Sequence, residues 1–148
     1  MLQLDPRIVK ERLESAVPAF KRVGLSADLG RVTARSLLYP SAFVVLLGEQ
    51  ASETRYFGED MIEQVVTARV GVIVAVRDIA DTTGAQATTA LAPIREAVLL
   101  TLCRFVPEAG GNAFRFQKGA LQSGIDAQGS LFWQDDYTLR FDRRIQIT

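Results

Sequence analysis

The chain of 148 residues contains no histidine, and that single absence removes most of the common reaction chemistry. Histidine is the side chain that titrates nearest neutral pH, the usual general base and the usual metal ligand. Without it neither a Ser–His nor a Cys–His nucleophile pair can be assembled. Cys103 is the only cysteine, so a zinc site would have to take its remaining ligands from carboxylates. On the apolar side of a helical pattern Cys103 reads as a small core residue. A reactive thiol wants a cationic, exposed setting, and Arg104 beside it in sequence is not enough. Among the carboxylates, Asp135 and Asp136 are adjacent, so on a strand they point to opposite faces and cannot share a ligand. Asp78 and Asp81 frame the end of a strand pattern and could meet a cation, although a cap or turn role suits their spacing. Glu59-Asp60 reads as a solvated pair in a loop. There is no GxxxxGK[ST] motif, and "GVIVAVRD" lacks the glycine spacing of a dinucleotide loop. Gly24, Gly30 and Gly48 read as isolated turns or bulges. No catalytic, cofactor-binding or metal-ligating residue emerges; the expectation is a protein without enzymatic activity and without a cofactor.

The residues that remain for a function are carried by the strands. "VVTARVGVIVAVRD", Val65 to Asp78, places Val66, Ala68, Val70, Val72, Val74 and Val76 on one face. The other face reads Val65, Thr67, Arg69, Gly71, Ile73, Ala75 and Arg77. The valine face predicts a hydrophobic core, while the second face is part apolar and part cationic. A strand pattern runs from about Met61 to Ile79, longer than the average strand. Before it, "PSAFVVLLGEQ" is apolar on both faces, as a strand covered on both sides would be. The polar stretch 51–60, "ASETRYFGED", reads as a hairpin connection or a loop. "GSLFWQDDYTLRFDRRIQIT" alternates cleanly: Leu131, Trp133, Asp135, Tyr137, Leu139 and Phe141 face one way, and Gln134, Asp136, Thr138, Arg140, Asp142 and Arg144 the other.

Helices frame these strands. Asp5-Pro6 is a helix start, with Val9, Leu13 and Phe20 at helical spacing and Pro18 as a stop. Ser26 is a second N-cap ahead of Leu29 and Val32. Leu91, Ile94, Ala97 or Val98, Thr101 or Leu102, and Phe105 step at three to four residues until Pro107 and Gly110-Gly111 end the helix. Pro93 is either an early helical residue or a kink in a longer helix. "NAFRFQKGALQSG" is a short, Gly-interrupted strand. The order α, β, β, α, β, β predicts an α+β fold: a mostly antiparallel sheet with two main helices packed on one face, in a single domain over residues 1–148.

Composition narrows the partners. Hydrophobic residues make up 48%, enough for a packed core. The 17 basic and 17 acidic residues cancel, which argues against direct nucleic-acid recognition because phosphate binding needs a net basic field or patch. Trp133, Phe105, Phe114, Phe116, Phe132 and Phe141 could stack bases, but most alternate within strands, where core packing explains them. Only Lys10, Lys21 and Lys118 are lysines, so 14 of the 17 basic residues are arginine, the residue suited to protein interfaces and carboxylate pairs. The N-terminus is charged where a signal peptide would be apolar, and no run reaches the roughly 18 apolar residues of a membrane span. The expectation is a soluble intracellular domain with no membrane partner.

An ordered set of local patterns adds a resemblance. A short N-terminal helix leads to "PSAFVVLLGEQ", then to the valine strand ending "VAVRDIAD", the helix "LAPIREAVLLTLCRFVPEAGG", and finally "FRFQKGALQSG" and "LFWQDDYTLRF". This order resembles the tail terminator proteins of long-tailed phages, of the lambda minor tail protein U type and the small terminators of Mu-like phages and prophages. None of these patterns is a catalytic signature. The resemblance implies a structural virion protein, assembled in the host cytoplasm, that forms a homo-oligomeric ring, commonly of six subunits, on the head-proximal end of the tail. Such a ring stops polymerisation of the tail tube protein and presents the docking surface for the head completion or connector protein. It implies no enzyme activity and no cofactor. On this view Arg69, Gly71, Ile73 and Arg77, joined by Arg140 and Arg144, form the face that meets a neighbouring subunit or lines the ring. The alternatives are an ordinary solvated sheet face, another head–tail connector, or a small-molecule binding domain.

Overall fold

The computed structural model describes residues 1–31, 37–77, 85–123 and 130–148; Val32, Asp78, Ile79 and Asp81 lie outside the described residues. In chain order the elements are α1 (Pro6–Ala16), β1 (Arg22–Leu25), α2 (Ser26–Arg31), β2 (Ser41–Phe57), β3 (Met61–Arg77), α3 (Ala85–Cys103), β4 (Arg115–Ser123) and β5 (Ser130–Gln146). The described strands form one five-stranded sheet in the order β1-β2-β3-β5-β4. β1 runs parallel to β2, and every other neighbouring pair is antiparallel. The fold is therefore a mixed α+β fold with a mostly antiparallel sheet and three helices.

β3 is the spine of the sheet. It pairs with β5 over its whole length, from Met61↔Gln146 to Arg77↔Ser130, and with β2 on its other side. Val66, Ala68, Val70, Val72, Val74 and Val76 are all buried. They share one core cluster with Leu139 and Phe141 of β5, Val9 and Leu13 of α1, and Val98 and Leu102 of α3. α2 belongs elsewhere: its Leu29 packs against a second, smaller cluster built on Leu37, Phe43 and Ala75.

Local chemistry sets the helix limits. The Asp5 side chain accepts from the Arg7 amide at 3.0 Å, and Pro6 occupies the first turn, where its missing N–H costs nothing. α1 ends at the Val17 cap, before Pro18. α3 begins at Ala85, so Pro93 lies well inside it. The longer of the two sequence readings is the observed one.

Two expectations need correction. The stretch 51–60 is mostly strand: β2 continues to Phe57, and only Gly58–Asp60 turn, with the Gly58 amide donating to the Met61 carbonyl at 2.9 Å. Its polar side chains hid this, because register shifts at Leu46/Gly48, Ala51/Glu53 and Thr54/Tyr56 break the period of two. Gly48, at φ 153°, sits at the first shift, the bulge its isolation suggested. β1 was not foreseen, since four residues carry too little pattern.

The core face also holds a charge. Asp135 points inward among apolar neighbours and is 2% exposed. Arg95 of α3 meets it in a fork, Nε to Oδ2 and Nη2 to Oδ1, both at 2.8 Å. The Trp133 indole donates to Oδ1 at 2.8 Å, and the Arg95 guanidinium lies 4.6 Å from the centre of the Trp133 ring. Gly119 on β4 leaves the room for this: a Cβ there would collide with Asp135 Oδ1 and lie 3.0 Å from both Trp133 Nε1 and Arg95 Nη2. The pair bolts α3 to β5. The hydrogen bonds it donates to Asp135 hold the Arg95 guanidinium above its ordinary pKa, so it stays charged at any ordinary pH. Next along the strand, the buried Tyr137 hydroxyl finds no hydrogen-bond partner among the described residues. Burial, then the Asp135 charge, push its pKa up.

Two outcomes follow. Losing a partner of a buried ion pair costs about 3–5 kcal/mol. Because Arg95 is 32% exposed, Arg95→Ala should cost nearer 2 kcal/mol, lowering the thermal midpoint by roughly 5 °C; an unchanged melt by circular dichroism would remove this pair as the fastening of α3. For Tyr137 the folded pKa lies above the unfolded value of 10.0, so its contribution is complete below pH 10 and declines as pH rises beyond it. Tyr137→Phe should be as stable as the parent at pH 7 and should melt higher than the parent above pH 10. A gap that does not widen with pH would show that the hydroxyl is not the group responsible.

Candidate functional site

The second face of the sheet is divided. Toward the Arg77 end it is closed: Ile73, Phe132 and Tyr39 pack on the cluster of Leu37, Phe43 and Ala75, and the Arg77 guanidinium lies 5.6 Å from the Tyr39 ring centre. Gly71 closes the middle. It is buried, and an added Cβ would lie 3.1 Å from Gln134 Nε2 and 3.3 Å from Leu47 Cδ1, the two side chains that reach across it. Gln134 donates to the buried Asp136 at 2.6 Å, which satisfies that carboxylate from within.

Beyond Gly71, toward the β2–β3 turn, the face is open and basic. Cross-strand register sets Arg69 and Arg115 on either side of Thr138, and sets Arg140 beside Thr67. Two strand spacings put the Cα atoms of Arg69 and Arg115 roughly 10 Å apart. All three arginines are exposed. Between them lies an open depression of about 440 Å³ lined by Thr67, Arg115, Thr138 and Arg140, with Arg55 and Asp142 at its side. It adjoins another of about 340 Å³ lined by Leu47, Gly48, Arg69, Gln117 and Glu49, whose carboxylate is taken by Arg143 at 2.6 Å. The two share Thr67 and Thr138, so they form one trough running across the sheet. Lys118, opposite Asp136, extends the basic strip along β4.

Charge on this face is unbalanced. Asp142 is taken by Arg55 at 3.1 Å, and Glu63 lies 3.5 Å from Arg144. Arg69, Arg115, Arg140 and Lys118 form no ion pair with any described residue. Three guanidinium forks around two threonine hydroxyls are suited to carboxylate or phosphate oxygens, which they can grip in two-point contacts. Among the described residues no cluster of three His, Cys, Asp or Glu side chains could hold a metal ion.

Of the six residues singled out from sequence, the structure brings only Arg69 and Arg140 together on the open trough. Gly71 lies beneath Gln134 and Leu47, Ile73 belongs to the small cluster, and Arg77 stacks on Tyr39. Arg144 sits nearer the turn, beside Glu63. Arg115 and Lys118 were missed. β4 reaches this face only through its pairing with β5, and its bulges at Phe116/Lys118 and Leu121/Ser123 erase the alternation that could have shown it. Cys103 is half-buried and packs against the main core, as its apolar setting suggested.

Fold and face together define a mixed α+β fold with a mostly antiparallel sheet, one face of which is open and basic toward the β2–β3 turn. The chain belongs to the phage tail terminator family: the family model for Phage tail terminator protein matches residues 1–148, the whole chain. None of the curated proteins matches it. Membership gives it a structural role in phage tail assembly, and no described helix is long and apolar enough to cross a membrane.

If the three arginines only crowd one another in the isolated domain, they contribute nothing to folding. Arg69→Gln, Arg115→Gln and Arg140→Gln should each leave stability within about 0.5 kcal/mol of the parent. Added salt, which screens their repulsion, should raise the parent's midpoint slightly more than that of the triple variant. A loss of several degrees in any single variant would mean that the trough is a structural element of the fold.

Proposed function

We propose that this chain ends the tail tube: it assembles as a ring at the head-proximal end, stops addition of tail tube protein, and offers the docking surface for the head completion or connector protein. The observation that carries this reading is the family match over the whole chain. The trough supports it, because exposed guanidiniums without partners are a surface prepared for another macromolecule rather than a pocket for chemistry. The protein works without a catalytic step, a metal or a cofactor, and is a minor component of the virion tail, from a phage or a prophage, put together in the host cytoplasm. Ring closure from identical subunits needs a head-to-tail contact between two different patches, and the Arg69/Arg115/Arg140 trough is one of them.

Electron microscopy of particles from a phage or induced prophage lacking this gene tests the proposal. Overlong, headless tails, returned to normal length by the purified protein, are the expected result. Tails of normal length that fail to join heads would make the protein a connector instead. Intact infectious particles would discard the assembly role and direct attention to a small ligand in the trough.

A further inference from the structure

Among the described residues, the trough gathers three exposed arginines that form no ion pair, and the β2–β3 turn gathers two exposed carboxylates that form none. Most described carboxylates are engaged: Asp5, Glu14, Asp28, Glu49, Glu63, Glu108, Asp135 and Asp142 each lie within 4.0 Å of a cationic nitrogen. Among the described residues the exposed carboxylates without an ion pair are Glu11, Glu59, Asp60 and Glu96, while the buried Asp136 is held by the Gln134 amide. Glu11 lies on α1 among Arg7, Lys10 and Arg12, and Glu96 stands singly on α3, so neither makes an acidic patch. Glu59 and Asp60 do. They form the β2–β3 turn, and from Tyr56 to Ala68 the chain has no Lys or Arg. The turn is also apolar at its flank, since Phe57 is 77% exposed. A Cβ on Gly58 would run into the Tyr56 ring, which therefore lies over the turn and backs it.

This tip complements the trough feature by feature. Two carboxylates meet three guanidinium groups, and an exposed ring meets arginine side chains, which stack on aromatic faces. The chain cannot satisfy itself in this way. β3 runs directly from Met61 through Thr67, and seven residues at roughly 3.3 Å each hold Asp60 about 23 Å from the trough of its own sheet. We infer that the trough receives the Glu59-Asp60 turn of a second copy of this chain. The contact is head-to-tail, because tip and trough are different patches, and it supplies the second patch that ring closure requires. This inference rests on the ring reading above and names the partner at that site.

Charge reversal tests it in the phage lacking the gene, complemented from a plasmid, with tail length scored by electron microscopy and folding checked by thermal melting of each purified chain. The trough pair Arg69→Glu/Arg140→Glu and the tip pair Glu59→Arg/Asp60→Arg should each fold and each lose length correction. The chain carrying all four changes should recover it. So should co-expression of the two double variants, because alternate subunits then meet through opposite charges; that mixture carries the test if the fourfold chain does not fold. A tip pair that corrects tails as well as the parent chain overturns the inference. So does a defect in the trough pair that no tip change repairs, which would assign the trough to DNA or to a different protein. Failure of the parent chain itself to correct tail length strikes the terminator reading, and this inference falls with it.

Discussion

Everything in this structure depends on one strand having no freedom of register. β3 is paired along both edges, and its alternate residues from Val66 to Val76 are all buried in the main core. A slip of one residue would turn six small apolar side chains outward and drive Arg69 and Arg77 into the core, a cost no other contact could offset. That requirement fixes β5 opposite it. It therefore fixes which face receives Asp135 and which receives Thr138, Arg140 and Asp142. The outward charges are arranged by a constraint that acts on the inward face.

The same constraint explains the charge on the core face. Asp135 stands opposite Val72 on the buried side, where an unpaired carboxylate would be costly. The fold answers with Arg95 from α3, the Trp133 indole and a glycine at 119 that leaves room for both. A helix packed through aliphatic side chains alone can slide on a sheet of valines; a forked ion pair has one geometry. The polar network gives α3 a single position where the apolar core gives it area.

On the outer face, the division into a closed and an open half decides what the protein can do. Leu37, Phe43, Ala75 and their neighbours cover one half, and Gln134 with Leu47 roofs Gly71. What remains is a trough in which Arg69, Arg115 and Arg140 form no ion pair with any described residue. A surface of this kind recognises by shape and charge, which is consistent with membership of the tail terminator family. It also separates roles along single strands: β3 and β5 serve the core, the trough and, near the turn, the tip, so the elements that stabilise the domain are also the ones that present it.

The sequence by itself determined much of this. The strict period of two in Val66–Val76 and Leu131–Phe141 specified two long strands and which of their faces builds the main core, and Asp5-Pro6 specified the start of the first helix. The lack of histidine and of phosphate-binding loops turned attention from chemistry to surfaces. The tertiary structure decided what periodicity does not encode. The register shifts of β2 hid its outer half from a pattern search, and the pairing order alone carried Arg115 and Lys118 beside Arg69. Gly71, Ile73 and Arg77 look equivalent to Arg69 on the strand and are not, because Gln134 and Leu47 close over Gly71 while Leu37, Tyr39 and Phe43 pack against Ile73 and Arg77. Alternation tells which side of a strand a residue faces; only the packing of remote segments tells whether that side is covered.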